Sequence, residues 1–204
     1  GYLSTNATAA ADFQTLYGVA ITDTANAVPL IFSILHPLAP NVYSFDQFKA
    51  DLPLAAELYS YIQGDATAST DFNVLYGIAI TDTTNAIPQI FSILHPTAPY
   101  TYDFTTYKAD LRSASELYVW LQTTPGMVDN FNTLYSTSIP MTGAPSGDDL
   151  AVIFSVLHPT APYTYDFDTF KSDLPLAAEL YGYLSTNATA AADFQTLYGV
   201  AITD

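Results

Sequence analysis

The sequence predicts an all-α chain of tandem helical repeats, three units of about 59–63 residues that stack as a solenoid or as a string of small packed bundles. Three observations predict it: a long motif that recurs at near-constant spacing, apolar residues at helical spacing inside each copy, and Pro, Gly and Asp punctuation between segments. The motif DFQTLYGVAITDTANAVPLIFSILHP begins at Asp12, returns as DFNVLYGIAITDTTNAIPQIFSILHP at Asp71, recurs in diverged form from Asn130, and begins again at Asp193. Phe13, Phe72, Phe131 and Phe194 mark the spacings 59, 59 and 63, and His36, His95 and His158 follow the same spacings. The chain therefore divides into 1–11, the end of a preceding repeat; units 12–70, 71–129 and 130–192, the last with an inserted loop; and 193–204, the start of the next repeat.

Gly1 to Asp23 is identical, residue for residue, to Gly182 to Asp204, an offset of 181. The expectation is a longer parent protein that repeats this super-unit; a designed or consensus sequence with an added cap is the alternative.

Within a unit, Phe72, Leu75, Tyr76 and Ala79 fall at i, i+3, i+4 and i+7, the stripe of an amphipathic helix. Ser69, Thr70 or Asp71 is the expected cap for its start. Pro88 suits the first turn of a second helix, which must stop before His95-Pro96. The Tyr-rich link APYTYDF leads to a third segment in which Pro53 and Pro175 stand where the middle unit has Arg112. A proline there opens a new helix, so Asp51, Asp110 and Asp173 are the expected N-caps and each unit reads as three or four short helices. Pairing of the extended links as strands is the minor alternative. In the third unit, Gly143, Pro145 and Gly147 mark a surface loop.

Half of the residues are hydrophobic, enough to bury a sizeable core. Lys+Arg 4 against Asp+Glu 20 gives a net charge of -16, which repels nucleic acid and anionic membranes. Only 12% of residues are charged, so Thr, Ser, Asn, Ala and Tyr must cover the surface, as they do on extracellular wall and fibre proteins. No apolar run reaches membrane-spanning length. There is no cysteine and no signal-peptide pattern. Asn6-Ala7-Thr8 and its copy at Asn187 match the N-glycosylation acceptor pattern, which agrees with secretion.

Reactive constellations are missing from the pattern. The three histidines occur one per unit with no metal-ligand spacing, and a helix-ending imidazole serves to bond the last carbonyls. Glu57, Glu116 and Glu179 read as solvated residues or as partners of Lys49, Lys108 and Lys171. No calcium loop, nucleophile elbow or nucleotide fingerprint appears, so no cofactor and no catalysis are expected. Tyr17, Tyr76, Tyr135 and Tyr198 read as core, each hydroxyl reaching a polar edge. Tyr100, Tyr102, Tyr163 and Tyr165 in the links are the candidate contacts for glycans or for another copy of the chain. The expected function is a structural or adhesive repeat, self-associating into an extracellular stalk, filament or wall layer. The alternative is a repeat module binding a glycan or calcium at unit junctions.

Overall fold

The structure, a computed structural model, describes residues 1–35, 44–96, 103–159 and 164–202. Among these residues every regular element is a helix; the links named for possible strand pairing lie largely outside them. None of the helices is long and apolar enough to cross a membrane. In chain order they are α1 (Tyr2–Thr5), α2 (Ala7–Tyr17), α3 (Thr24–Leu35), α4 (Phe45–Gly64), α5 (Ala66–Tyr76), α6 (Thr83–Ile93), α7 (Phe104–Thr123), α8 (Met127–Tyr135), α9 (Gly147–Val156), α10 (Phe167–Thr186) and α11 (Ala188–Tyr198). The sequence periodicity thus appears as three kinds of helix. The first kind comprises α2, α5, α8 and α11; the second α3, α6 and α9; the third α4, α7 and α10.

The first kind is bounded by chemistry that the sequence partly conceals. Asp65, rather than Ser69, Thr70 or Asp71, caps α5: its Oδ1 accepts from the amides of Thr67 at 2.8 Å and Ala68 at 3.1 Å. Thr70 lies inside the helix, its hydroxyl donating to the Ala66 carbonyl, and Asp71 is buried. Asn6 and Asn187 cap α2 and α11 in the same way through the amides of Ala9 and Ala190. At the other end Gly18, Gly77 and Gly199 have φ between 66° and 73°, the left-handed turn that satisfies a last carbonyl and that a Cβ disfavours.

The second and third kinds correct two expectations about proline. Pro88 is not in the first turn, because α6 begins at Thr83 after Asp82, whose carbonyl accepts from the Ala86 amide. Pro53 and Pro175 do not open new helices, since α4 and α10 run through them without a break. Asp51, Asp110 and Asp173 are therefore interior residues and not N-caps. The caps lie nearly two turns or more upstream. Ser44 and Gln47 form a reciprocal capping box, and Asp103 and Asp166 accept from the amides of Thr106 and Thr169 at 2.8 Å. An interior proline forfeits the bond to the carbonyl one turn earlier. Pro29, Pro53, Pro88 and Pro175 all lie on exposed or half-exposed helix faces.

The amide of Thr169 donating to Asp166 holds that carboxyl below the usual carboxylate range, and Thr106 does the same for Asp103. A folded pKa below the unfolded one contributes stability above the ordinary carboxylate pKa, and that contribution is lost as pH falls through the folded value. Asp166→Asn is therefore expected to keep α10 capped near neutrality, since Asn caps as well as Asp, and to flatten the loss of stability on the acid side. Thermal melts of the two proteins between pH 7 and pH 2.5 measure the difference.

The chain forms two compact units, Gly1–Ser115 and Glu116–Asp204, divided within α7. In the first, α4 is the central helix. Phe48, Leu52, Ala55, Leu58 and Ile62 repeat every three or four residues along its buried side, and α2, α5 and α6 pack around it. In the second, α10 packs on α8 and α11, and Phe131 meets Phe170 edge-on at 6.4 Å. Its inserted segment is an anchored surface turn. Tyr118 donates to the Gly143 carbonyl, and burial pushes that hydroxyl's pKa up so that it stays protonated. Asn132 accepts from the Ile139 amide at 2.9 Å and donates to the Ile139 carbonyl at 3.1 Å. Buried Asp149 accepts from the Ser138 amide and the Ser146 hydroxyl. Gly147 belongs to α9 rather than to the loop.

Candidate functional site

The most structured polar and aromatic constellation lies where α6 crosses α4, joining one repeat to the next. Phe91 of α6 stacks on Phe48 of α4 with ring centroids 5.6 Å apart and an interplanar angle of 21°. His95, just past α6, donates from Nε2 to Asp51 Oδ2 at 2.6 Å. This corrects the expected helix-ending role: the His95 backbone amide bonds the Ser92 carbonyl, while the imidazole reaches the neighbouring repeat's third helix. Asp51 is buried and His95 half-exposed, so the bond shields an acid that the core would otherwise penalise. Lys108 of α7 adds an ion pair at 3.0 Å to Glu57 of α4. Each lysine also lies above the phenylalanine four residues earlier, Lys49 over Phe45, Lys108 over Phe104 and Lys171 over Phe167, at 4.2–4.7 Å from the ring centre. Lys49 and Lys171 pair locally with Asp46 and Asp168 rather than with Glu116 or Glu179.

The same positions are open elsewhere in the chain. Phe91 is 2% exposed, whereas its counterpart Phe32 on α3 is 62% exposed. Leu58 on α4 is fully buried, whereas its counterpart Leu180 on α10 is 54% exposed. Val28 and Leu35 flank Phe32 on one side of α3, and Tyr183 extends the open side of α10. By the repeat spacing Phe32, Val28 and Leu180 correspond to positions that are buried on α6 and α4.

Of the link tyrosines expected as contacts, Tyr100, Tyr102 and Tyr163 lie outside the described residues. Tyr165 is half-buried against Phe170 at 5.5 Å and neighbours Tyr135, whose hydroxyl pKa burial pushes far above the ordinary phenol range. Tyr17, Tyr76 and Tyr135 are half-buried, each tilted onto the phenylalanine four residues earlier at 4.6–4.9 Å, and Tyr198 is exposed with the same ring pair. Asn6 and Asn187, the glycosylation candidates, use their side-chain carbonyls as helix caps. His36 lies outside the described residues. Among the described residues no group of three or more His, Asp or Glu is placed to hold a metal ion.

Sequence reading missed the Phe48–Phe91 and Asp51–His95 contacts. The signal for them is the fixed spacing of Asp51, Asp110 and Asp173 alongside that of the three histidines. Comparison with protein-family models, with curated proteins and with solved structures finds no match.

Proposed function

We propose that the chain is a structural or adhesive segment of a larger extracellular repeat protein, in which successive repeats stack as a solenoid through junctions of the α4–α6 type. The observation that carries this reading is the junction itself. Phe48 with Phe91, Asp51 with His95 and Glu57 with Lys108 each join residues of successive repeats, and all three pairs recur in residue type along the chain, as Phe or Tyr, His, and Lys with acid partners. A contact between neighbours that is renewed once per repeat builds a one-dimensional object, suited to a stalk, a filament or a wall layer. The hydroxyl-rich, sparsely charged surface and the two Asn-Ala-Thr sites favour a place outside the cell.

Chains carrying one, two and three copies of the 181-residue super-unit test the reading in small-angle scattering. The longest dimension is expected to grow by the same increment with each added copy. Growth of the radius of gyration with roughly the 0.38 power of chain length, as in a compact globule, overturns it.

A further inference from the structure

We propose that Asn6 and Asn187 are sites of N-linked glycosylation, each carrying an oligosaccharide on its side-chain nitrogen while its side-chain oxygen keeps the helix capped. The inference rests on the extracellular reading above. It goes beyond that reading by assigning the atoms and by naming the one helix corner in three that bears a sugar.

Each helix of the first kind opens at a corner whose residue decides what chemistry is possible there. Asn6 and Asn187 stand before α2 and α11, Asp65 before α5 and Gly126 before α8. Asn6, Asn187 and Asp65 are extended, with φ between -121° and -116°, and their side chains accept from amides in the first turn. Only the two asparagines have a side-chain nitrogen to offer, and both are followed by Ala-Thr, the acceptor pattern. The cap uses Oδ1, which accepts from the Ala9 amide and from the Ala190 amide, each at 3.1 Å. Nδ2 has two hydrogens. One suffices for the bond from Asn187 to the Tyr183 hydroxyl at 3.2 Å, so the other is available for exchange with a sugar. The linkage remains an amide, and its oxygen still accepts the capping bond.

The openness of this corner belongs to the fold. Asp65, Ala66 and Thr67 form the equivalent corner between α4 and α5, where two repeats meet, and all three are exposed. Asn6, Ala7 and Thr8 are exposed likewise, while Asn187 is half-exposed and Thr189 exposed. The donor is a polyprenyl-pyrophosphate-linked oligosaccharide. Asn Nδ2 forms a bond to the anomeric carbon of the sugar, and the bond from that carbon to the pyrophosphate oxygen breaks. The pyrophosphate leaves with the electron pair, and Nδ2 gives up one proton, so no oxidant or reductant is needed. The product is a bulky, hydrated group on a sparsely charged surface, renewed every 181 residues.

For the test, a cleaved leader directs the full chain into the secretory pathway of a eukaryotic cell. Intact mass and peptide mapping are then compared before and after treatment with peptide-N-glycosidase. Glycan is expected at Asn6 and at Asn187. Thr8→Ala is expected to leave Asn6 without sugar and melting unchanged, because the site is exposed, the Asn6 cap stays and Ala favours the helix. Asp65→Asn completes the acceptor pattern with Ala66 and Thr67 and is expected to add a third glycan at the interior corner. The enzyme converts a glycosylated Asn to Asp, which caps as well, so glycosylated and treated chains are expected to share helix content and melting temperature. Sugar-free Asn6 and Asn187 in chain recovered from that pathway overturn the proposal, as does a glycosylated chain that has lost helix. An interior corner that stays bare in Asp65→Asn overturns the openness on which the proposal stands. The scattering experiment judges the array separately, since a chain without sugar can still lengthen by equal steps.

Discussion

Phe13→Ala is expected to lower the stability of the first unit by about 3–5 kcal/mol, and Phe194→Ala that of the second by about 1 kcal/mol or less. The two substitutions are made in the same 23-residue sequence, with the same caps and the same helix propensity. Every local contribution therefore cancels, and the difference measures tertiary cover alone. Phe13 is fully buried beneath α4, and replacing it leaves a cavity; Phe194 is partly exposed, and water reaches the space left behind. Urea unfolding at protein concentrations low enough to prevent self-association, followed by circular dichroism, gives both values. Equal losses would mean that Phe194 is covered as fully as Phe13.

The second large effect belongs to the inserted turn. Asn132→Ala is expected to cost about 2–4 kcal/mol, because the buried Ile139 would lose the side-chain partners of both its amide and its carbonyl. Thr137, whose hydroxyl donates to the same Asn132 oxygen at 2.7 Å, would be released with it. Amide hydrogen exchange should show protection lost at Ile139, together with faster protease cleavage between Ser136 and Ser146. A silent substitution would contradict the anchoring. The expectation from composition was different, since Gly and Pro in that segment read only as a surface insertion. Composition reports where a chain turns, but not whether a side chain elsewhere holds the turn's backbone groups.

The same limit separates what was legible from what was not. The helical class and the periodic placement of helices were readable because each helix carries its own amphipathic stripe, as at Phe72, Leu75 and Tyr76. Helix ends were harder. Asp65 lies four residues before Ser69, the earliest of the expected caps, and a proline is weak evidence for a boundary on an exposed helix face, as at Pro53. The junction was illegible for a different reason: Asp51 and His95 are 44 residues apart, and only the path of α4 and α6 brings them within 2.6 Å. Tyr165, in a polar link, is half-buried on Phe170, a contact 5 residues along the chain that composition does not report.

The placement of the three lysines has a consequence for how copies of the chain behave in different media. Each ammonium group lies over a phenyl ring and is paired with a carboxylate, and the chain as a whole keeps a net charge of -16. Two chains that approach therefore repel over most of their facing surfaces, whatever their apolar ends offer at contact. That repulsion reaches about 30 Å at 0.01 M ionic strength but only about 3 Å at 1 M. Dissolved electrolyte thus sets a threshold: dilute media hold the chains apart, and brine lets the short-range apolar contacts decide.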